Sequence, residues 1–211
     1  MEYFSSNSLS EENIMDFESL ITSLYQIGAI QFGEFKLKSG KTSSIYINLR
    51  KIISYPTLLR TVANAMWEKT RGVSYDLICG VPYTALPMAT CMSLEHNTPM
   101  IMRRKEKKEY GTKQMIEGEF KPGQQCLIIE DVVTTGGSII ETANDLEGAG
   151  LIVKDVVALI DREQGGKENL ANYHLHTLLS LTDILNSLLN STLLTPAEKN
   201  AVKQFLLEKS I

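Results

Sequence analysis

The chain has 211 residues, of which 43% are hydrophobic and 22% charged, with a formal net charge of −4 and a pI of about 5.5. This length and ordinary composition predict one folded domain with a single main core, and they exclude a disordered chain. The acidic balance argues against a general binder of nucleic acid or of anionic membranes, so any basic cluster must be local.

The N-terminal quarter of the chain combines a helical pattern with a short strand-and-turn pattern. Apolar residues at helical spacing predict a helix within residues 10–31. In residues 32–50, short alternating runs flank Ser39-Gly40-Lys41 and predict a small unit of strands and a turn.

From Pro56 onward, helical and strand patterns alternate along the chain. Helices are predicted at 56–70, 85–96, 138–150 and 196–211, and strands at 75–81, 99–103, 124–133, 153–161 and 176–183. Short buried strands separated by helices predict an α/β fold with a doubly wound, mainly parallel sheet. We therefore divide the chain into an N-terminal helix and hood element of the same domain (1–55), an α/β core (56–183) and a helical tail (184–211).

The cysteine content and the apolar runs bear on the cellular compartment. Cys79, Cys91 and Cys126 are too few and too scattered for a disulfide framework or a zinc site, and we expect free, buried thiols. The N-terminus has neither the basic nor the apolar region of a signal peptide, and no apolar run approaches the ~18 residues of a membrane span. These features predict a cytoplasmic protein.

The strongest local signal is the string LIIEDVVTTGGS at residues 127–138. A β-branched strand ends in Glu130 and Asp131, a small hydroxylated loop follows, and a helix begins near Ser138. Ligands of open α/β sheets bind at the carboxyl ends of strands, where glycine amides and a helix N-terminus favour a phosphate. The two carboxylates suit the hydroxyls of a vicinal diol. A diol with a terminal phosphate is ribose 5-phosphate.

This string resembles the phosphoribosyl pyrophosphate (PRPP) signature of the type I phosphoribosyltransferases, whereas the chain contains no Walker A and no GxGxxG string. The resemblance implies the fold of that family. It also implies PRPP contacts from the residues at the strand end and in the loop: Glu130, Asp131, Val132, Val133, Thr134, Thr135, Gly136, Gly137 and Ser138.

Three further stretches resemble the orotate phosphoribosyltransferases in particular. Residues 103–113, RRKEKKEYGTK, carry a local net charge of +4 and resemble that family's flexible catalytic loop. The string FKLKSG at 35–40 resembles its amino-terminal element, and DREQGG at 161–166 resembles its strand end that meets the orotate carboxylate. The likeness covers roughly residues 17–183 and is closest to the transferase half of the bifunctional uridine monophosphate (UMP) synthases.

The resemblance implies roles for particular residues. Catalytic roles fall on Arg104, Lys108 and Asp131, and further PRPP contacts on Lys38, Tyr83, Thr84, Arg104, Lys105, Lys108 and Tyr110. Orotate contacts fall on Lys38, Tyr46, Ile47, Thr134 and Arg162. Thr84 and Tyr110 stand where many single-function bacterial members carry Lys and His.

The resemblance also implies a reaction and its partners. Orotate and PRPP would give orotidine 5′-monophosphate and pyrophosphate, a step of UMP biosynthesis. Mg²⁺ would be held mainly through the pyrophosphate, without direct protein ligands. A homodimer is implied, in which loop 103–113 reaches the neighbouring site, and neither nucleic acid nor membrane is an expected partner.

Other functions keep part of the pattern. A purine phosphoribosyltransferase, or a PRPP-sensing regulator that binds RNA, would retain the PRPP string, and the regulator would also need a broad basic face. An aspartyl phosphatase or receiver domain would place acidic residues at a strand end but would lack the Gly-Gly phosphate loop. Turnover with a panel of bases separates these alternatives.

Overall fold

The N-terminal part of the fold is a helix followed by a hairpin. The computed structural model describes residues 16–36, 42–105 and 115–209. Helix α1 (Phe17–Gln26) is capped by Asp16, whose carboxylate accepts the Glu18 amide hydrogen bond. Strands β1 (Ile30–Lys36) and β2 (Thr42–Ile47) then pair antiparallel. The predicted helix to residue 31 is therefore too long: it ends before Gly28, which has a φ of 68°, a value that favours glycine.

A six-stranded sheet carries the rest of the fold, in the order β5-β4-β3-β6-β7-β8. Its strands are β3 (Leu77–Gly80), β4 (Met100–Arg103), β5 (Ile116–Glu117), β6 (Cys126–Val133), β7 (Asp155–Asp161) and β8 (His174–Ser180). All neighbours pair parallel except β4 and β5, which pair antiparallel. The predicted α/β class with a mainly parallel sheet is confirmed.

Six more helices and a 3₁₀ turn accompany the strands in the described residues. They are the 3₁₀ turn Leu49–Ser54 and helices α2 (Pro56–Lys69), α3 (Ala85–His96), α4 (Gly137–Gly148), α5 (Gly166–Asn169), α6 (Leu181–Asn190) and α7 (Pro196–Lys209). The helices predicted at 56–70, 85–96, 138–150 and 196–211 correspond to α2, α3, α4 and α7. Strand β5 and helix α5 were not predicted, whereas most of α6 lies within the predicted helical tail 184–211.

The last predicted strand, 176–183, is wrong at its C-terminal end. Strand β8 stops at Ser180, and α6 begins at the next residue. The Ser180 hydroxyl accepts the amide hydrogen bond of Asp183 at 3.0 Å, and the Asp183 carboxylate accepts from the Ser180 amide and hydroxyl. This capping box satisfies backbone donors that a continued strand would have paired with its neighbour.

The strand order creates a crevice in the middle of the sheet. After β3 the chain moves to β4 on one side, whereas after β6 it moves to β7 on the other. The carboxyl ends of β3 and β6 are therefore adjacent at the point where the winding reverses, which is where open α/β sheets bind ligands. The centre of β6 is fully buried, so the strand end is held rigidly beneath this crevice.

The two ends of the described chain pack together. Tyr25 on α1 donates a hydrogen bond to Glu198 on α7 at 3.0 Å, and α7 also contacts both strands of the hairpin. The N-terminal hood and the C-terminal tail, which lie at opposite ends of the sequence, thus contact each other. None of the helices in the described part of the chain combines the length and the apolar character that a bilayer span requires.

The cysteines are free thiols. Cys79 and Cys126 are buried in β3 and β6, as predicted, whereas Cys91 on α3 is only partly buried. Burial raises the pKa of Cys79 to about 11, so its thiol is protonated at neutral pH and unreactive.

Candidate active site

The loop between β6 and α4 forms an anion cradle at the switch point. Gly136 precedes the first residue of α4 with a φ of 81°, and no side chain caps the helix. Thr134 is partly buried in the loop, whereas Thr135, Gly137 and Ser138 are exposed. A cavity of about 150 Å³ is lined by Glu130 and residues 132–139. Uncapped helix amides with adjacent hydroxyls are suited to bind a phosphate.

Two glycines let the segment after β7 approach this loop closely. A Cβ on Gly136 would lie 2.8 Å from Leu170 Cγ, and a Cβ on Gly166 would lie 2.4 Å from Val133 Cγ1. Side chains larger than hydrogen would therefore push the segment and the loop apart. The second glycine of DREQGG is required by this packing.

The two acidic residues at the end of β6, Glu130 and Asp131, differ in burial. Glu130 is 4% exposed, whereas Asp131 is partly exposed. The Asp131 amide donates to Glu130 Oε1 at 2.9 Å. Burial, together with the neighbouring Asp131 carboxylate, raises the pKa of Glu130 well above its ordinary value. Glu130 therefore retains its proton more strongly than an exposed carboxyl, while Asp131 is the accessible acid of the pair.

We expect Glu130→Gln to stabilise the free protein at neutral and alkaline pH. Because the folded pKa of Glu130 is raised, its contribution to stability is full below the unfolded pKa of ~4.3 and is lost as the pH rises through the folded pKa. The glutamine keeps an oxygen that accepts the Asp131 amide hydrogen bond, and because it does not ionise, it removes the loss of stability at higher pH. Thermal unfolding midpoints between pH 4 and 9 test this, with the exposed Glu119→Gln as a control. Parallel profiles for wild type and Glu130→Gln would contradict it.

Arg162 follows β7 and lies directly beside the cradle. Its amide donates to the Val133 carbonyl oxygen at 2.9 Å, which fixes the backbone of the two strand ends together. Nε and Nη2 of its guanidinium are buried without a hydrogen-bond partner among the described residues, and burial lowers its pKa. Unpaired buried donors are costly in a folded protein. They fit a carboxylate that arrives with a ligand.

The two arginines at the end of β4 have different environments. Arg103 begins the predicted loop 103–113, but it is the last residue of β4, and its side chain is 5% exposed between Asp145 at 2.6 Å and Glu141 at 2.8 Å. It is thus a structural ion pair with α4, not part of a loop. Arg104 Nη1 pairs with Glu117 at 2.9 Å, and its buried Nε lacks a partner in the described residues. The sequence pattern gave no sign of Glu117 as its partner.

Lys105 connects this basic segment with the loop after β3. Its ammonium lies 5.4 Å from the centre of the Tyr83 ring, a cation–π contact. Tyr83 is exposed and follows a cis peptide bond with Pro82, and Thr84 is buried just before α3. The amide of Arg104 donates to the Met115 carbonyl oxygen at 2.8 Å, so the two ends of the intervening segment are adjacent. The loop after β3 and the base of the basic segment therefore adjoin.

The remaining predicted contacts fall on the N-terminal hairpin or outside the described residues. Tyr46 and Ile47 are on β2, where Tyr46 stacks on Phe35 with 5.2 Å between ring centres. The main packing contacts of the hairpin are with α1 and α7. Lys38, Lys108 and Tyr110 lie outside the described residues, so their predicted contacts stay predictions.

No metal cluster is formed by the described residues. Within 16–36, 42–105 and 115–209, no group of three or more His, Cys, Asp or Glu side chains is arranged to hold a metal ion. Glu130 and Asp131 are two carboxylates, of which one is buried. Such a pair fits a hydrated Mg²⁺ whose other ligands come from a substrate, because Mg²⁺ keeps several waters and phosphate oxygens.

Comparison with known proteins agrees with this geometry. A model of the phosphoribosyl transferase domain matches residues 51–179. Orotate phosphoribosyltransferase of Caenorhabditis elegans is 46% identical over 183 residues, which are 85% of this chain and 81% of that protein. The chain belongs to the orotate phosphoribosyltransferase family.

Within this family, the chain is also similar to bifunctional proteins. Bovine uridine 5′-monophosphate synthase is 47% identical over 196 residues, 91% of this chain. The solved structure of Leishmania donovani UMP synthase superposes with a TM-score of 0.82 at 37% identity and covers 90% of this chain. The chain spans 41% and 42% of those two proteins. The likeness to them therefore concerns less than half of their length.

Proposed function

We propose that this chain transfers the ribose 5-phosphate unit of PRPP to N1 of orotate, forming orotidine 5′-monophosphate and pyrophosphate in UMP biosynthesis. One observation carries the proposal: a phosphate cradle and a buried guanidinium with free donors are joined by a single backbone hydrogen bond, from the Arg162 amide to Val133. A sugar phosphate and a base carrying a carboxylate could thus bind side by side.

The phosphate end of PRPP would be held by the loop after β6. Backbone amides from Thr135 to Ser138, the hydroxyls of Thr134, Thr135 and Ser138, and the N-terminus of α4 supply donors. The family likeness predicts the same segment, residues 130–138. Because these donors belong to a loop fixed between β6 and α4, they are preorganised for the anion.

The acidic pair would bind the ribose. Asp131 is accessible and can accept hydrogen bonds from the ring hydroxyls, and its charge would stabilise the positive charge that develops as the bond from C1 to the leaving group breaks. Glu130, whose pKa is raised by burial, can donate as well as accept in its protonated form. The electron pair for the new bond comes from orotate N1, which releases its proton to water, and the electron pair of the breaking bond leaves with pyrophosphate.

Departing pyrophosphate would meet the cations at the end of β4. Lys105 lies over the Tyr83 ring, Arg104 precedes it in the chain, and Lys108 and Tyr110 follow in the sequence. Mg²⁺, when bound, would neutralise pyrophosphate charge, and Glu130 and Asp131 could hold waters of its shell. Lys38, Tyr46 and Ile47 complete the proposed orotate contacts with Thr134 and Arg162.

We also propose a homodimer in the cytoplasm, with the basic segment of one subunit serving the site of the other. The family likeness supports the dimer, and the free, reduced thiols are typical of a reducing compartment. Size-exclusion chromatography with light scattering tests the subunit number. The exchange of activity between subunits is tested as described in the Discussion.

The proposed reaction is tested by incubating the protein with PRPP, Mg²⁺ and single bases, and by following base consumption and pyrophosphate release. We expect turnover of orotate and none of adenine, hypoxanthine or guanine, which lack a carboxylate for Arg162. Turnover of a purine with none of orotate would contradict the proposal. Dependence on Mg²⁺ is measured in the same assay after chelation.

We expect Asp131→Asn to lower turnover while leaving the fold intact. The substitution keeps the shape and partial exposure of the side chain but removes the charge proposed to stabilise the ribose during transfer. Steady-state kinetics and thermal unfolding measure the two effects separately. Wild-type turnover together with wild-type PRPP affinity would show that Asp131 has no such role.

A further inference from the structure

The segment after β7 lies along the carbonyl side of the phosphate loop. The carbonyl oxygen of Val133 accepts from the Arg162 amide at 2.9 Å, and that of Thr135 accepts from the side-chain amide of Asn169, also at 2.9 Å. Between them, Gly166 approaches the Thr134 carbonyl so closely that a Cβ there would lie 2.9 Å from the oxygen. Three successive carbonyl groups of the loop therefore face residues 162–169.

The direction of these carbonyls determines where the amides of the loop point. In a trans peptide the N–H points away from the C=O of the preceding residue, and the peptide is planar. Since Asn169 holds the Thr135 carbonyl, the N–H of Gly136 faces away from Asn169. That side of the loop is the one on which the cradle must present its donors to an anion.

Gly136 makes this restraint necessary. Its φ of 81° lies in a region that glycine adopts freely, and glycine also adopts other values at little cost. The peptide between Thr135 and Gly136 could therefore rotate if nothing held it. Leu170 packs against Gly136 from one side, but apolar packing does not distinguish the two orientations of a peptide. The Asn169 hydrogen bond does distinguish them.

We propose that Asn169 is a positioning residue for the phosphate loop: its side-chain amide fixes the peptide between Thr135 and Gly136 with the Gly136 N–H towards the phosphate. The inference rests on the proposed function, because the anion is taken to be the 5-phosphate of PRPP. Asn169 is exposed and need not touch the substrate. It lies seven residues after Arg162, so one short segment serves both the base and the phosphate.

The inference is tested with Asn169→Ala, Asn169→Asp and the neighbouring exposed control Glu168→Gln. We expect the alanine variant to bind ribose 5-phosphate about three- to tenfold more weakly in calorimetry, the range of a lost neutral hydrogen bond. The aspartate variant should lose more, because its carboxylate repels the Thr135 carbonyl. The KM for PRPP should rise in the same order, whereas the KM for orotate and the thermal midpoint should stay close to wild type.

Several outcomes would overturn the inference. Unchanged ribose 5-phosphate affinity in both Asn169 variants would do so, as would an equal loss in Glu168→Gln. A rise of the KM for PRPP and of the KM for orotate alike, together with a lower thermal midpoint, would assign Asn169 to general stability instead. Ribose 5-phosphate binding by the wild type without any turnover of orotate would refute the proposed function while leaving the role of Asn169 open to the same binding test, which then decides it.

Discussion

Lys108→Ala should lower turnover by about 10²–10³ and change the KM for PRPP only slightly, because loss of one preorganised donor to developing charge has this magnitude. Pyrophosphate acquires its additional charge only as the bond to C1 breaks, so a cation that meets it acts on the transition state more than on bound substrate. Steady-state kinetics with Lys107→Ala as the matched control measures this. A raised KM with wild-type turnover would instead make Lys108 a ground-state contact.

The position of Lys108 in the chain supports this expectation. Lys105 lies against Tyr83 beside the crevice, and Lys108 follows it by three residues, a backbone reach of at most roughly 11 Å. The hydrogen bond between the Arg104 amide and the Met115 carbonyl closes the segment at its base. The segment that contains Lys108 therefore starts and ends next to the site.

Mixing Lys108→Ala with Asp131→Asn tests whether the segment serves the neighbouring subunit. If it does, each hybrid dimer has one site with both lesions and one site with neither. After random exchange, about a quarter of wild-type activity should return, since half of the dimers are hybrids and each has one intact site. Exchange is verified with a tag on one variant. Activity no higher than that of the parents would show that the segment serves its own subunit or that no exchanging dimer forms.

Arg162→Ala should weaken orotate binding selectively, by roughly 30-fold to several thousand-fold, which corresponds to about 2–5 kcal/mol for a buried carboxylate left without its partner. The guanidinium is placed for this role, because Nε and Nη2 are buried and lack partners in the described chain. Its backbone amide, which holds Val133, is unaffected by the substitution. PRPP affinity should therefore change little.

Two controls sharpen this test. Arg162→Lys keeps the charge but loses the planar pair of donors, and it should retain only part of the orotate affinity. Uracil, which lacks the carboxylate, should bind wild type and Arg162→Ala with similar weak affinity. Unchanged orotate affinity with a collapse of PRPP affinity would mean that Arg162 binds the other substrate.

Local sequence patterns predicted most helices and strands because particular residue types, such as proline and glycine, mark where these elements begin and end. Pro56 starts α2, and alternation of buried strands with Gly-terminated helices is visible without any tertiary information. For the two wrong boundaries, the end of α1 and the start of α6, the sequence did contain the correct signal, but the apolar pattern around it favoured a different boundary. Gly28 ends α1, although Ile27 and Ile30 continue the apolar pattern, and the capping residues Ser180 and Asp183 start α6 within an apolar run that also fits a strand.

The motif also predicted which residues line the cavity after β6, because a strand, a loop and a helix N-terminus are consecutive in the sequence. The motif could not predict the burial, the protonation or the ion-pair partner of each charged side chain. Glu130 and Asp131 are neighbours of the same charge, and only their burial makes one a buried, proton-retaining acid and the other an accessible carboxylate. Arg103 and Arg104 are likewise adjacent cations, yet one is a buried ion pair with α4 and the other pairs with β5.

The sequence by itself determined the fold class, the PRPP-type string and the family to which the chain belongs, since these depend on periodicity and on residues close together in the chain. Tertiary structure alone decided the strand order that places β3 beside β6, the packing of α7 on the N-terminal hairpin, and the contact of Asn169 with Thr135. These features join residues that are distant in sequence. They arise from the shared burial of several elements in one core, which no local pattern contains.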